Sequence, residues 1–218
     1  FDDLINDEFK FKVKTLILRD VKCEEVTSLQ AFLEAHENTL KDVIIHGSMS
    51  ANHFIALQDH PTFNLELNLS TSIKNAENFP TMWNVETLEI KCGSVKFDYD
   101  VFDGKFPNLR KLRLVDFKNL TPKTSFDNLE ELSIESSALR SPLLIPKVKK
   151  LKFIDTAFQM TKNPFDFDNN KIEEIFLEYS FFTGWFLTFL QHEDTKLNLV
   201  TLRPPSYVDL KMNVIDEN

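Results

Sequence analysis

One short pattern recurs along the whole chain: an apolar residue, two others, an apolar residue, one other, and a third apolar residue. Its nine copies start at Val13, Leu40, Thr62, Val85, Leu109, Leu129, Val148, Ile172 and Leu197. Consecutive starts lie 19 to 27 residues apart, and the copy at Thr62 is weakened. A regular period of this length is typical of a solenoid, in which each unit packs only against its neighbours. We therefore predict one array rather than separate globular domains.

The alternation of side chains along a strand assigns the positions of each copy to two faces. The fourth and sixth positions, such as Leu16 and Leu18, point into the core, and the third, fifth and seventh point the other way. A period of about 23 residues with this apolar spacing predicts an α/β leucine-rich-repeat solenoid. We expect a curved parallel β-sheet on its concave face, and mixed helices and loops on its convex face.

The array has predicted boundaries and a predicted variation in its return segments. Residues 1–12 should form an N-terminal edge or cap, residues 13–203 about nine repeats, and residues 204–218 a C-terminal cap or tail. The longer units leave room for helices, such as Glu24–His36 and Phe181–Leu190. The short, proline-containing units between 118 and 147 leave room only for turns or extended chain. Six phenylalanines that follow the strand pattern should fill the core, namely Phe54, Phe79, Phe102, Phe106, Phe126 and Phe158.

Charge and cysteine content narrow the class of partner and the compartment. The net charge of −9 disfavours a nucleic-acid partner. Cys23 and Cys92 lie about three repeats apart, so we expect no disulfide and a reducing, intracellular location in cytoplasm or nucleus. Secretion stays open as the alternative, because Asn68 and Asn119 stand in glycosylation sequons. The acidic opening FDDLINDEF lacks an initiator Met and a signal-peptide pattern, which suggests a fragment or a processed form.

No catalytic or metal-binding motif is found. The five histidines form no HExxH pair, neither cysteine stands in a CxxC motif, and the four glycines are not clustered. Asp166, Asp168 and Asn170 have calcium-loop spacing, but Lys171 and Leu177 occupy the positions of the required Gly and Glu. We expect a protein that is not an enzyme and needs no cofactor, no metal and no membrane.

The third, fifth and seventh positions are the candidate partner-binding residues of the concave face. Ile17 and Ile44 fall on neighbouring strands beside Arg19 and His46, an arrangement that resembles the apolar centre and polar rim of a protein interface. Burial of this patch under a terminal segment is the other interpretation. The charged positions alternate in sign, so they either recognise a partner or pair sideways across strands about 4.8 Å apart. The full set of candidates is Ile17, Arg19, Ile44, His46, Glu89, Lys91, Lys111, Arg113, Val115, Lys152, Ile154 and Phe176.

The repeats resemble a known family. The runs SLQAFLEAHENTLKDVIIHG, FPNLRKLRLVDF and FDNLEELSIESS resemble the leucine-rich-repeat region of insect F-box/LRR-type proteins, over nearly all of Val13–Leu202. In that family an F-box ahead of the repeats docks onto the SKP-type adaptor of a cullin-RING ubiquitin ligase, and the repeats hold the substrate. The segment FDDLINDEF lacks the marks of an F-box, so the resemblance transfers only the substrate-holding role. An extracellular or secreted ligand-recognition module with the same repeats is the alternative.

Overall fold

The computed structural model describes residues 12–20, 26–48, 50–61, 63–69, 73, 76–93, 102–118, 127–140, 148–158, 172–180, 197–203 and 210–212. The chain divides into two compact units, Phe1–Leu109 and Arg110–Asn218. It is an α/β protein built on parallel β-sheet, with few helices.

The first unit alternates strands with helical segments. Its elements are β1 (Thr15–Arg19), α1 (Val26–Ala35), β2 (Asp42–Gly47), α2 (Ala51–Gln58), β3 (Phe63–Leu69), a 3-10 turn (Ala76–Asn78) and β4 (Val85–Lys91). Strands that follow one another in the chain are neighbours in space and run parallel, in the order β1-β2-β3-β4.

The second unit contains short extended segments between its main strands. Its elements are β5 (Lys111–Val115), β6 (Glu131–Glu135), β7 (Ala138–Leu139), β8 (Lys150–Ile154), β9 (Ala157–Phe158), β10 (Glu174–Glu178), β11 (Leu199–Arg203) and β12 (Leu210–Met212). Strands β5, β6, β8, β10 and β11 are parallel neighbours in that order, and β7 pairs with β9 in a parallel sheet of two strands. The last strand, β12, runs antiparallel to β11 and was not predicted from the sequence.

Each of the nine sequence patterns forms a strand over its third to seventh positions. Neighbouring strands within each unit are in register at equivalent positions, for example Ile17 opposite Ile44 and Arg113 opposite Ser133. The helix predicted over Glu24–His36 is confirmed as α1, and described residues 118 and 127–140 contain no helix. The helix predicted over Phe181–Leu190, residues 1–11 and most of the predicted tail lie outside the described residues.

The core consists of the positions that the pattern assigns to it. In β1 to β4 the residues at the fourth and sixth positions of the pattern are buried. The fourth-position residues are Leu16, Val43, Leu65 and Leu88, and the sixth-position residues are Leu18, Ile45, Leu67 and Ile90. Behind the first unit's strands, Phe79 contacts three other rings, Phe54, Phe102 and Phe106, at centroid distances of 4.5 to 5.8 Å. Five of the six predicted core phenylalanines are buried, and Phe126 lies outside the described residues.

A left-handed turn at the eighth position of the pattern ends many of the strands. The residue there has a positive φ, between 47° and 90°, in six of the copies: Asp20, Gly47, Asp116, Ser136, Asp155 and Tyr179. In four of these copies the amide of that residue donates to the carbonyl of the seventh residue in the next strand, as Asp20 does to His46 at 3.0 Å and Asp155 to Glu178 at 2.8 Å. Each of these four strands therefore turns away from the sheet while still bonded to its neighbour.

Buried hydroxyl groups hold these turns together in the second unit. At the ninth position, Thr156 donates its Oγ1 to the carbonyls of Ile134 and Ile154 at 2.9 and 3.0 Å. Its own amide donates to the Oγ of Ser180 at 3.2 Å. In the same way, the amide of Phe117 donates to the Oγ of Ser137 at 3.0 Å. These groups satisfy backbone donors and acceptors that the turn withdraws from water.

Candidate functional site

We call the face formed by the third, fifth and seventh positions of the pattern the open face. In both units it is more exposed than the core face, which the fourth and sixth positions form. Most of its residues are half-buried or exposed, whereas described residues at the fourth and sixth positions are buried. At β11 the pattern weakens, since Thr201 at the fifth position is only 7% exposed. The open face of each unit therefore presents side chains in rows that run across its strands.

The most exposed apolar residue of the open face lies at the start of the first unit. Ile17 is 50% exposed and is the register partner of Ile44, which is half-buried. In the next row, Arg19 on β1 is the register partner of His46 on β2. The predicted adjacency of these four residues is confirmed, and we call them the β1–β2 patch.

The guanidinium of Arg19 stands out among the cations of the open face. Arg19 is exposed and forms no ion pair with any described residue. His46 has a favourable electrostatic interaction with the carboxylate of Glu66, one strand away. The β1–β2 patch therefore combines two apolar side chains with a guanidinium whose N–H groups can donate hydrogen bonds to a carboxylate.

On β3 and β4 one lysine of the open face pairs with two carboxylates. The Nζ of Lys91 lies 2.7 Å from Glu66 and 2.9 Å from Glu89. Burial would raise the pKa of Glu66, but hydrogen bonds from Lys91 and Asn68 outweigh it and lower that pKa. The hydrogen bond to Glu66, helped by the one to Glu89, raises the pKa of Lys91. Glu89 and Lys91, both candidate binding residues, are thus engaged with each other in this structure.

Asn68, the sequon residue on β3, has its side chain committed to the same cluster. Its Nδ2 donates to the Oε1 of Glu66 at 2.8 Å. That nitrogen is the atom that would carry a glycan. Asn119, the other sequon residue, lies outside the described residues.

In the second unit the predicted sideways pairing is confirmed. Lys111 reaches Glu131 at 3.2 Å and Lys150 reaches Glu174 at 3.2 Å, each across one strand boundary. Arg113 makes a two-pronged contact with Glu135, Nε to Oε1 at 2.9 Å and an amino nitrogen to Oε2 at 2.6 Å. These contacts place each positive charge beside a negative one on the neighbouring strand. Each exposed pair adds only about 0 to 1 kcal/mol to the free energy of unfolding.

Glu135 is the most enclosed carboxylate of this ladder. Its side chain is 12% exposed, and the Oγ of Ser133 donates to its Oε1 at 2.9 Å. The hydrogen bond from Arg113 lowers the pKa of Glu135, with burial opposing it and Ser133 assisting. Glu135 therefore stays ionised, and Arg113 is held in one orientation.

The apolar candidates of the second unit do not form a continuous patch. In register, Val115 and Ile154 each lie opposite Glu135, on either side of it. Phe176 lies in another row, where the Nζ of Lys152 sits 5.4 Å from its ring centroid. The structure therefore brings Lys152 and Phe176 together as a cation–π pair and separates Val115 from Ile154.

The non-glycine turn residues at the strand ends were not predicted from the sequence, namely Asp20, Asp116, Ser136, Asp155 and Tyr179. Their signal was visible, since Asp, Gly or Ser recurs at the eighth position and these residue types tolerate or favour a positive φ better than most. Two asparagines at the opposite ends of the strands were also missed. Asn84 donates to the carbonyls of Leu57 and His60 at 2.7 and 2.6 Å, and Asn108 donates to that of Trp83 at 2.7 Å.

Among the described residues, no group of three or more His, Cys, Asp or Glu side chains is arranged to hold a metal ion. The candidate calcium-loop residues Asp166, Asp168 and Asn170 lie outside the described part of the chain. Cys92 is buried, and burial raises the pKa of its thiol to about 11. No helix in the described ranges is both long and apolar enough to cross a bilayer.

Comparison with known proteins does not assign the chain to a family. No model of a known protein family matches the chain, and no curated protein is significantly similar to it.

Proposed function

We propose that this chain is a non-catalytic protein-binding scaffold with leucine-rich-repeat architecture, whose open face is the concave surface that captures a protein or peptide. The β1–β2 patch is the observation that carries the proposal. Elsewhere on the open face the described charges are largely paired across strands, which favours solubility. At the patch, half-exposed Ile17 adjoins Ile44 and Arg19, which forms no ion pair with a described residue.

Burial of the patch by a partner would stabilise a complex. Complete burial of an isoleucine side chain is worth about 1.5 to 3 kcal/mol, so covering the exposed half of Ile17 contributes about 1 kcal/mol. A carboxylate that reaches Arg19 adds a charge-assisted hydrogen bond of about 1.5 to 3 kcal/mol. The chemistry of the patch thus favours a partner segment with an apolar residue next to Asp or Glu.

The resemblance to F-box/LRR-type proteins supplies the cellular role in this proposal. The captured protein would be a substrate, and the chain would be the substrate-recognition region of a ubiquitin-ligase subunit inside the cell. The SKP-type adaptor would bind an F-box encoded upstream of Phe1. Sequencing the transcript upstream of Phe1 tests this part: an F-box supports it, and a secretory signal peptide there would contradict it.

The patch itself is tested by affinity capture from a lysate of the source tissue, quantified by mass spectrometry. We expect the double variant Ile17→Ser, Ile44→Ser and the single variant Arg19→Glu to lose the proteins that the wild-type chain captures. Trp83→Ser is the matched control, because Trp83 is 63% exposed but lies in the turn that precedes β4, outside the open face. Circular dichroism must be the same for all four proteins. Equal capture by wild type and the double variant would refute the proposal.

A further inference from the structure

A groove lies between the two helices of the first unit. It has a volume of about 200 Å³ and is lined by α1, α2 and the residues that follow them. Small-molecule pockets are usually larger, about 300 to 1,000 Å³. The groove therefore has room for one long side chain rather than for a cofactor or a drug-sized ligand.

The charged residues that line this α1–α2 groove are all acidic. Glu34, Glu37 and Asp59 lie along it and are exposed. None of the three forms an ion pair within the described ranges, and Glu34 only accepts a long hydrogen bond of 3.5 Å from Gln30. The groove thus carries uncompensated negative charge, which attracts a cation.

Four apolar residues also line the groove, namely Leu33, Ile55, Ala56 and Pro61. Leu33 is buried, while Ile55 is 43% exposed. A ligand that combines an apolar stem with a positive end matches this lining better than a metal ion or a free ammonium ion does.

A buried histidine in the lining has an unused acceptor. His60 is 7% exposed, and its Nδ1 lies 3.0 Å from the carbonyl oxygen of Pro61. Because a carbonyl only accepts, Nδ1 is the donor and Nε2 is the acceptor nitrogen of the neutral ring. Nε2 is buried and has no hydrogen-bond partner among the described residues. An unsatisfied buried acceptor is costly, and a ligand N–H would satisfy it.

We propose that the α1–α2 groove is a second binding site, independent of the open face, that takes an arginine side chain of a partner protein, flanked in that partner by an apolar residue. Arginine fits better than lysine because its flat guanidinium presents five N–H donors. It can therefore meet several carboxylates and the Nε2 of His60 at once. Its methylene stem packs against Leu33 and Ile55.

The test is an NMR titration of the ¹⁵N-labelled chain with the peptide acetyl-Leu-Arg-Leu-amide. We expect saturable shifts of the amides of Leu33, Ala56 and Asp59, and a shift of the Nε2 resonance of His60. The peptide with citrulline in place of arginine has the same shape without the charge, and it should bind at least about tenfold more weakly.

Matched variants assign the effect to the groove. Glu34→Gln with Asp59→Asn should weaken binding about fivefold or more. The control is Glu86→Gln with Asp103→Asn, which removes the same charge from two exposed acids of the same unit outside the groove and should leave binding unchanged. Ile17→Ser, on the open face, should also leave binding of the arginine peptide unchanged. The proposal for the open face and the proposal for the groove can therefore fail independently. The inference is overturned if 5 mM peptide shifts no groove amide, or if the two double variants of acidic residues behave alike. It is also overturned if the citrulline peptide, or the same peptide with lysine in place of arginine, binds as well as the arginine peptide.

Discussion

Replacement of Gly47 by alanine should destabilise the first unit through two separable effects. Gly47 ends β2 with φ of +90°, where an L-residue is disfavoured by about 1 to 2 kcal/mol. The new Cβ would also lie 1.9 Å from the Oδ1 of Asp20, so that carboxylate must rotate away. The rotation breaks its 3.4 Å hydrogen bond from the amide of Ser48, which is long and exposed and is worth about 0.5 kcal/mol. We expect a total loss of about 1.5 to 2.5 kcal/mol.

Two further variants separate these effects in urea denaturation followed by circular dichroism. Gly93→Ala is the backbone control, because φ is +52° and the added Cβ meets no atom within 4 Å. In an Asp20→Gly background the steric part disappears while the positive φ of residue 20 is still tolerated. Gly47→Ala should then cost only about 1 to 2 kcal/mol. A Gly47→Ala protein as stable as wild type would refute the left-handed turn. An identical cost in both backgrounds would refute the contact with Asp20.

Two more predictions concern the second unit's charge ladder and the buried thiol. A double-mutant cycle with Arg113→Ala and Glu135→Gln should give a coupling of about 1 kcal/mol, because one partner is largely enclosed and the contact is two-pronged. The folded-state pKa of Glu135 is lowered, so the pair contributes its full stability above the usual pKa of 4.5. That contribution is lost as the pH falls through the folded-state pKa. A coupling that persists unchanged at pH 2.5 would contradict an ion pair between Arg113 and Glu135. Cys92, with a pKa of about 11, should be less than about 1% thiolate at pH 8. In a variant with Cys23→Ser, the native protein should therefore react with a thiol reagent at least about tenfold more slowly than the urea-unfolded protein, and equal rates would show that the thiol is accessible.

The strands were the most predictable part of the structure. A side chain in a strand points to one face or the other, so the period of two in LRKLRL or LEELSI already separates core from surface. The burial of Leu112 and Leu114 and the exposure of Lys111 follow from that alternation. Sideways pairing was predictable for the same reason, because equivalent positions lie in register.

The turns and the return segments were less predictable because their conformation depends on contacts between copies. Nothing local to Tyr179 indicates a φ of +50°, which is rare for a bulky residue. The hydroxyl of Thr156 is buried only because the preceding strand offers the carbonyl of Ile134. The α1–α2 groove likewise depends on how two helices pack, which the period of the pattern does not specify. The contact between Lys152 and Phe176 could not be predicted without knowing the register of β8 and β10.

The central claim is that adjacent positions of one strand separate the core from a face that is free to bind. Ile44 and Ile45 of β2 test it most directly, since the first is half-buried on the open face and the second is 0% exposed. We predict that Ile44→Asp lowers the free energy of unfolding by less than about 1 kcal/mol. Ile45→Asp should lower it by more than about 4 kcal/mol, because it creates a cavity and buries an unpaired carboxylate. Equal losses from the two substitutions in urea denaturation, or a larger loss from Ile44→Asp, would contradict the account.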